Sequence, residues 1–308
     1  SSTSIIHLAR KLFLRYFCIH SYYQMQHSIE QTRAFIRTSL AGIYPEGEIN
    51  ALIRVILEEI GGLEPYQILL GKDREISDTL FHRIHEVVDR LHEMEPLQYI
   101  LGHSVFCGME LEVSPAVLIP RPETEELVEK IVGHFQGMKS RILDIGTGSG
   151  CIAIALSHLL SDATVTALDV SQEALEVAQK NNRRNHTDVR FLHADILQAD
   201  KLLPNETFDG IVSNPPYVME KEKETMSENV LDHEPHIALF VPDDDPLLFY
   251  RAIARFACQR LTPGGSLFFE INPLKADATV EMLRKLDYKN IEVMKDLSGK
   301  ERMLKAEI

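Results

Sequence analysis

Residues 213–217 read Ser-Asn-Pro-Pro-Tyr and follow a short, mostly apolar run, FDGIV. Two adjacent prolines restrict the backbone and remove two N–H donors, while their carbonyls remain as acceptors. The side-chain carbonyl of Asn214 adds a further acceptor, and Tyr217 adds a flat aromatic face. That composite suits a planar –NH₂ group: acceptors for its two hydrogens and a ring against its plane. The nitrogen of an amide or aryl amine is a poor nucleophile because its lone pair is delocalised. Holding its hydrogens from fixed directions orients it toward an electrophile, which lowers a transfer barrier without a strong base. Read alone, the same residues are a proline-ended strand entering a surface loop.

A second constellation precedes it. LDIGTGSG, residues 143–150, sets Gly146, Gly148 and Gly150 between an apolar strand-like run and an apolar helix-like one. Such glycines permit a tight turn whose backbone N–H groups approach a ligand. Asp144 stands where it could accept from an ammonium group. Asp169 ends the next strand-like run, TALD, where a carboxylate can take two hydrogen bonds from a ribose diol. The spacing is G-T-G-S-G rather than the dinucleotide G-x-G-x-x-G, and no P-loop lysine follows. The pattern therefore favours a cofactor with a ribose and a charged amino-acid tail over a pyrophosphate. In FLHADIL, Asp195 could accept from an adenine amino group while Ile196 covers the ring. Singly, these residues also read as a tight turn, a helix cap and a strand-ending Asp.

The elements that must carry these residues alternate. RILDIG, TVTALDV, VRFLHADI, FDGIVSNPP and GSLFFEI read as strands, interleaved with GCIAIALSHLL, SQEALEVAQKNNRR (capped by Ser171) and PLLFYRAIARFACQRL as helices. ATVEMLRKLD and NIEVMKDL add a further helix and strand. This is the pattern of an α/β domain with a mostly parallel sheet, whose ligands bind at the carboxyl ends of the strands. Upstream, SIEQTRAFIRTSL, EINALIRVILEEIGGL and TLFHRIHEVVDRLHEM carry apolar residues at helical spacing, so a small helical domain is expected over residues 1–95. Residues 96–125 alternate and are glycine-punctuated, which predicts a hairpin linker, and 126–308 form the α/β domain. TEELVEKIVGHF is expected to begin a helix with Thr124 as its N-cap.

The 308 residues carry 32 Lys plus Arg against 46 Asp plus Glu, a formal charge of −14. That balance disfavours a broad phosphate-gripping surface and fits a protein partner. Cys18, Cys107, Cys151 and Cys258 are too dispersed for a CxxC pair and read as reduced thiols of a cytoplasmic protein. The histidine pairs His82/His85 and His233/His236 read as solvated or locally bonded, so no metal is expected. No apolar run has the length of a membrane span. KLFLRYFCIHSYY, residues 11–23, is interrupted by Arg15 and His20 and lacks a following small-residue cleavage site, so it is not read as a signal peptide.

DIGTGSG, LDVSQEAL, HADI and FDGIVSNPPY resemble the class I S-adenosylmethionine-dependent methyltransferases that modify planar amino nitrogens. PLQYILG, LIPRPETEELV and EPHIALF narrow the resemblance to the release-factor glutamine methyltransferases, which methylate the glutamine side-chain amide of the GGQ motif in peptide chain release factors. It covers residues 29–308, with 1–28 lying before the expected start and Met25 a candidate initiator. It implies a Rossmann-like domain with a mostly parallel seven-stranded sheet behind a small helical domain that recognises the partner. Gly146, Thr147, Gly148, Ser149 and Gly150 would pass beside the methionine part of S-adenosyl-L-methionine, Asp169 would bind ribose, and Asp195 and Ile196 would frame adenine. Asn214 and Pro215 would hold the substrate amide, Asn214 also facing the cofactor, while Pro216 and Tyr217 shape the pocket. Phe106, Arg121 and Thr124 would help close it. The implied partner is a class 1 release factor, with no stable nucleic-acid or membrane binding, and a monomer is expected. The sequence departs from the family after FFEI, where Asn272-Pro273 replaces a glycine, and in the loop LFVPDDDPLLFY. Because SNPPY also occurs in adenine-N6 DNA methyltransferases, adenine in nucleic acid and glutamine in another protein stay open as acceptors.

Overall fold

The computed structural model describes residues 27–308, apart from the side chains of 200 and 201. The 11–23 stretch, Cys18 and Met25 lie outside the described residues. The described residues divide into two compact units, 27–95 and Pro96–Ile308.

In the first unit, α1 (Ile29–Leu40) opens on a capping box in which Ser28 and Gln31 each bond the other's backbone N–H, at 3.2 and 3.0 Å. α2 (Glu46–Val55) runs into a π-helical turn, Ile56–Ile60, rather than continuing as one α-helix to Gly61. α3 (Pro65–Leu70) and α4 (Asp78–His92) follow, the latter capped by the Ser77 side chain. Ile29, Phe35, Ile36, Ile53, Phe81, Ile84 and Val88, from the apolar stripes, are buried.

The second unit begins with α5 (Leu97–Leu101) and the hairpin β1 (His103–Phe106) and β2 (Met109–Glu112). Cys107 and Gly108 both have positive φ, 48° and 73°, as a two-residue hairpin turn demands. α6 (Pro122–Phe135) leads into β3 (Ser140–Ile145), α7 (Cys151–Leu159), β4 (Ala163–Asp169), α8 (Gln172–Arg184), β5 (Val189–His193) and β6 (Phe208–Ser213). Next come β7 (Val218–Met219), α9 (Glu228–His233), β8 (Phe240–Val241), α10 (Leu248–Arg260), β9 (Leu261–Glu270), α11 (Ala276–Lys285), β10 (Lys289–Lys295) and β11 (Glu301–Glu307).

The main sheet has seven strands in the order β10-β11-β9-β6-β3-β4-β5. β9, β6, β3, β4 and β5 are parallel, and β11 is antiparallel to both β9 and β10. The chain winds from β3 outward through β4 and β5, then crosses to β6 on the other side of β3. That reversal opens a crevice at the carboxyl ends of β3 and β6. Apolar cores fill both faces of the sheet, one with α6 and α7, the other with α10 and α11. Among the described residues no helix is long and apolar enough to cross a membrane.

Candidate active site

A cavity of about 250 Å³ lies at this crevice. It is lined by the turn after β3, the ends of β4 and β5, the Asn-Pro-Pro segment after β6, residues 116–121 and Thr124.

Gly146, Gly148 and Gly150 take φ of 73°, 55° and 83°, which L side chains rarely adopt. A Cβ at Gly146 or Gly148 would meet nothing within 4 Å, so the turn leaves open space there. Gly150 is different: a Cβ would lie 2.9 Å from Ile154 Cδ1, so this glycine permits close helix packing. The expectation of a row of N–H groups facing a ligand needs correcting. The N–H groups of Gly146 and Thr147 both donate to Leu168 O, that of Gly148 to Asp169, and that of Gly150 to Thr147 O. The turn is held by β4 and contributes shape more than donors.

Asp144 is also corrected. It is fully buried and off the cavity lining, and its Oδ2 accepts from Thr147 Oγ1 at 2.7 Å. Burial pushes its carboxyl up to about 7, opposed by the Thr147 hydroxyl and assisted by the charge of Asp169. It braces the glycine turn from behind. Asp169 does line the cavity. Its Oδ2 accepts from Gly148 N–H at 2.8 Å and its Oδ1 from Ser171 N–H at 2.9 Å. Burial raises its carboxyl above the ordinary value, and these backbone bonds pull the other way. Each oxygen retains acceptor capacity. Asp195 follows β5, accepts from Leu197 N–H at 2.9 Å, and lines the cavity with Ile196, Leu197 and Val170.

At the opposite wall, Ser213 Oγ donates to Ile145 O at 2.6 Å and stitches the end of β6 to that of β3. Asn214, Pro215 and Pro216 line the cavity. Among the described residues the Asn214 side chain makes no hydrogen bond, so its acceptor and donors are unspent. Tyr217 is not on the lining: its hydroxyl turns away to donate to Glu270 Oε1 at 3.0 Å. Burial and the Glu270 charge raise that hydroxyl well above its usual range. The expected ring-on-amide contact gives way to a structural tether.

Arg121 lines the cavity and pairs with the buried carboxylate of Glu234, which also accepts from Ile119 N–H at 3.1 Å. Thr124 lines it too, but not as an N-cap. α6 starts at Pro122 after Arg121, and Thr124 Oγ1 donates to Glu270 Oε2 at 2.6 Å. Phe106 is a core residue, 1% exposed and packed with Leu127 and Val128, and does not reach the cavity. A hydrophobic residue in a hairpin pairs with the nearest apolar face, which here is α6. Sequence reasoning missed Glu234, Glu270 and Asn272. The signal for Glu270 was an acid ending the apolar run SLFF, in a strand covered on both faces.

The arrangement joins a carboxylate-edged slot to a wall carrying an unspent side-chain amide, a combination that can hold a ligand beside a hydrogen-bonding nitrogen. Comparison with known proteins bears on the ligand. Residues 31–102 match the family described as PrmC N-terminal domain, and 102–236 match Methyltransferase small domain. A release factor glutamine methyltransferase of Bacteroides thetaiotaomicron is 47% identical over 273 residues, covering 89% of this chain and 98% of its own. That of Flavobacterium psychrophilum is 45% identical over 281 residues, covering 90% and 98%. Among solved structures, a methyltransferase from Pyrococcus furiosus aligns with a TM-score of 0.50 at 22% identity, over 65% of this chain and 89% of that one, a likeness of fold.

Proposed function

The chain belongs to the release factor glutamine methyltransferase family, and on that premise we propose that it methylates the side-chain amide nitrogen of the GGQ glutamine in class 1 peptide chain release factors. The observation that carries this reading is the unspent Asn214 amide facing the same cavity as Asp169 and the glycine turn.

The residues present fit S-adenosyl-L-methionine. Asp169 has one backbone bond on each oxygen, leaving a lone pair on each for the two ribose hydroxyls. Gly146 and Gly148 leave room where any side chain would intrude. Val170, Ile196 and Leu197 offer apolar cover for adenine, with Asp195 as acceptor for its amino group. When bound, the cofactor supplies an electrophilic methyl group on a cationic sulfur and leaves as S-adenosyl-L-homocysteine.

The chain's own contribution is orientation. The carbonyls of Asn214 and Pro215 accept the two hydrogens of the substrate amide, fixing its plane and raising electron density on nitrogen. Pro215 has no N–H to compete. A nitrogen that has gained a methyl group is strongly acidic until it sheds a proton, so these neutral acceptors suffice to hold it while the proton passes to water. Ile119, Arg121 and Thr124 supply a further wall of the cavity.

The helical unit, through its match to the PrmC N-terminal domain, is assigned to recognition of the release factor. The net charge of −14 favours a protein substrate over adenine in nucleic acid. The same reading sets the enzyme in the cytoplasm, where release factors act. Purified release factor incubated with the protein and cofactor is expected to gain one methyl group, mapped by tandem mass spectrometry to the GGQ glutamine. Methylation of DNA with none on that peptide would overturn the assignment.

A further inference from the structure

Two walls of the cavity come from distant parts of the chain: Thr124 at the start of α6 and Asn214–Pro216 after β6. One buried carboxylate ties the first directly and the second through the adjoining Tyr217. Glu270 ends β9, whose Phe269 lies opposite Ser213 of β6, so Glu270 falls beside the Asn-Pro-Pro segment. It is 3% exposed. Its Oε2 accepts from Thr124 Oγ1 at 2.6 Å and its Oε1 from Tyr217 Oη at 3.0 Å. Arg302, on β11 at the other side of β9, brings Nη1 within 3.5 Å of the same Tyr217 hydroxyl.

Tyr217 is gripped a second time. Its carbonyl accepts from Asn272 Nδ2 at 3.0 Å, and that amide also donates to Glu222 Oε2 at 3.1 Å. Tyr250 Oη locks the intervening backbone, donating to Glu270 O at 3.0 Å and accepting from Asn272 N–H at 3.2 Å. The Asn272-Pro273 departure from the family is thereby absorbed into the support of this loop. Asn214 has no side-chain anchor of its own, so its position depends on what holds its neighbours.

We propose that Glu270 is a positioning residue for methyl transfer: its carboxylate clamps the Asn214–Tyr217 loop against the Thr124 wall and so holds the amide acceptors in register. A carboxylate suits the task because both hydroxyls must donate, and an ionised carboxyl accepts on both oxygens. A glutamine can serve one hydroxyl unchanged, and the other only after that hydroxyl turns its proton away. The inference rests on the methyl-transfer reading above.

The test compares wild type with Glu270→Ala, Glu270→Gln, Tyr217→Phe and the Glu270→Ala/Tyr217→Phe double variant. Glu270 does not touch the cofactor slot, so S-adenosyl-L-homocysteine affinity should stay within about twofold of wild type by calorimetry. The kcat for a GGQ-containing release factor should fall about 100-fold in Glu270→Ala, the cost of a misplaced acceptor. Glu270→Gln should recover part of that loss, and the double variant should be no slower than Glu270→Ala alone. Hydrogen exchange of the peptide spanning 213–219 should quicken in Glu270→Ala. Where that variant does not fold, Tyr217→Phe carries the test, with about a 10-fold loss of kcat at unchanged cofactor affinity. Unchanged kcat, or a loss matched in cofactor affinity, overturns the proposal. Should wild type leave the release factor unmethylated, the functional reading fails, and loop exchange alone decides the clamp: rates equal to wild type refute it.

Discussion

Replacing Asp169 by Asn changes one oxygen to an NH₂ group and removes a charge at nearly constant volume. In the folded protein both oxygens are in use, one taking Gly148 N–H at 2.8 Å and the other Ser171 N–H at 2.9 Å. The new NH₂ must face one of these donors, so one bond is lost and a donor is left against a donor. That loss costs about 1–3 kcal/mol of stability. On the proposed ribose role of Asp169, one of two acceptors toward the cofactor disappears and the survivor is neutral. Hydrogen bonds to a charged group contribute about 1.5–3 kcal/mol each, so the combined loss is about 3 kcal/mol, or about 100-fold in Kd. Titration calorimetry with S-adenosyl-L-homocysteine measures this directly, and thermal melts without ligand separate the folding cost. An affinity within about threefold of wild type would refute the ribose role, because no single charge-assisted bond is worth so little.

Three further perturbations probe other parts of the site. Asn214→Ala removes no hydrogen bond within the described protein, so stability should change by less than about 1 kcal/mol while kcat falls about 100-fold or more; a parallel loss of cofactor affinity would make Asn214 chiefly a cofactor ligand. Asp144 holds its proton up to about 7 in the folded state against 3.8 ordinarily, so its contribution to stability is complete below 3.8 and lost as pH rises through about 7. Melting curves should therefore show Asp144→Asn gaining on wild type between pH 5 and pH 8, and parallel curves would contradict the burial argument. Gly210→Ala would drive a Cβ to 2.7 Å from the Phe135 ring, itself 2% exposed. Denaturant unfolding should show a loss of about 1–3 kcal/mol, with cofactor affinity retained per folded molecule.

Much of this was legible locally. Capping residues Ser28, Ser77 and Ser171 each bond within three positions along the chain, so residue type and spacing suffice to find them. Strand runs covered on both faces read as continuous apolar stretches, which is why β3, β4 and β6 stand out. Their order is not legible: right-handed crossovers fix which face each helix covers, and the structure is what places β6 on the other side of β3. The carboxyl ends of those strands then bring Gly146, Asp169, Asp195 and Asn214 to one edge without any knowledge of side-chain contacts.

Other assignments failed where the deciding partner lay far off. Thr124 has the residue type of an N-cap, but Pro122 starts the helix and Glu270, 146 positions away, takes its hydroxyl. Tyr217 offers a ring that could stack on a substrate, yet its phenol finds a buried carboxylate and the ring follows. Asp144 sits beside a glycine turn, but its side chain points into the fold and braces Thr147. The sequence by itself determined which residue types stand at the strand ends, carboxylates at Asp169 and Asp195 and an Asn-Pro-Pro after β6, because period and residue type act over a few positions. Only the tertiary structure decided which hydroxyls and carboxylates meet behind that wall. Such pairings depend on the register of β6, β9 and β11 and on the cost of burying any one of those polar groups alone.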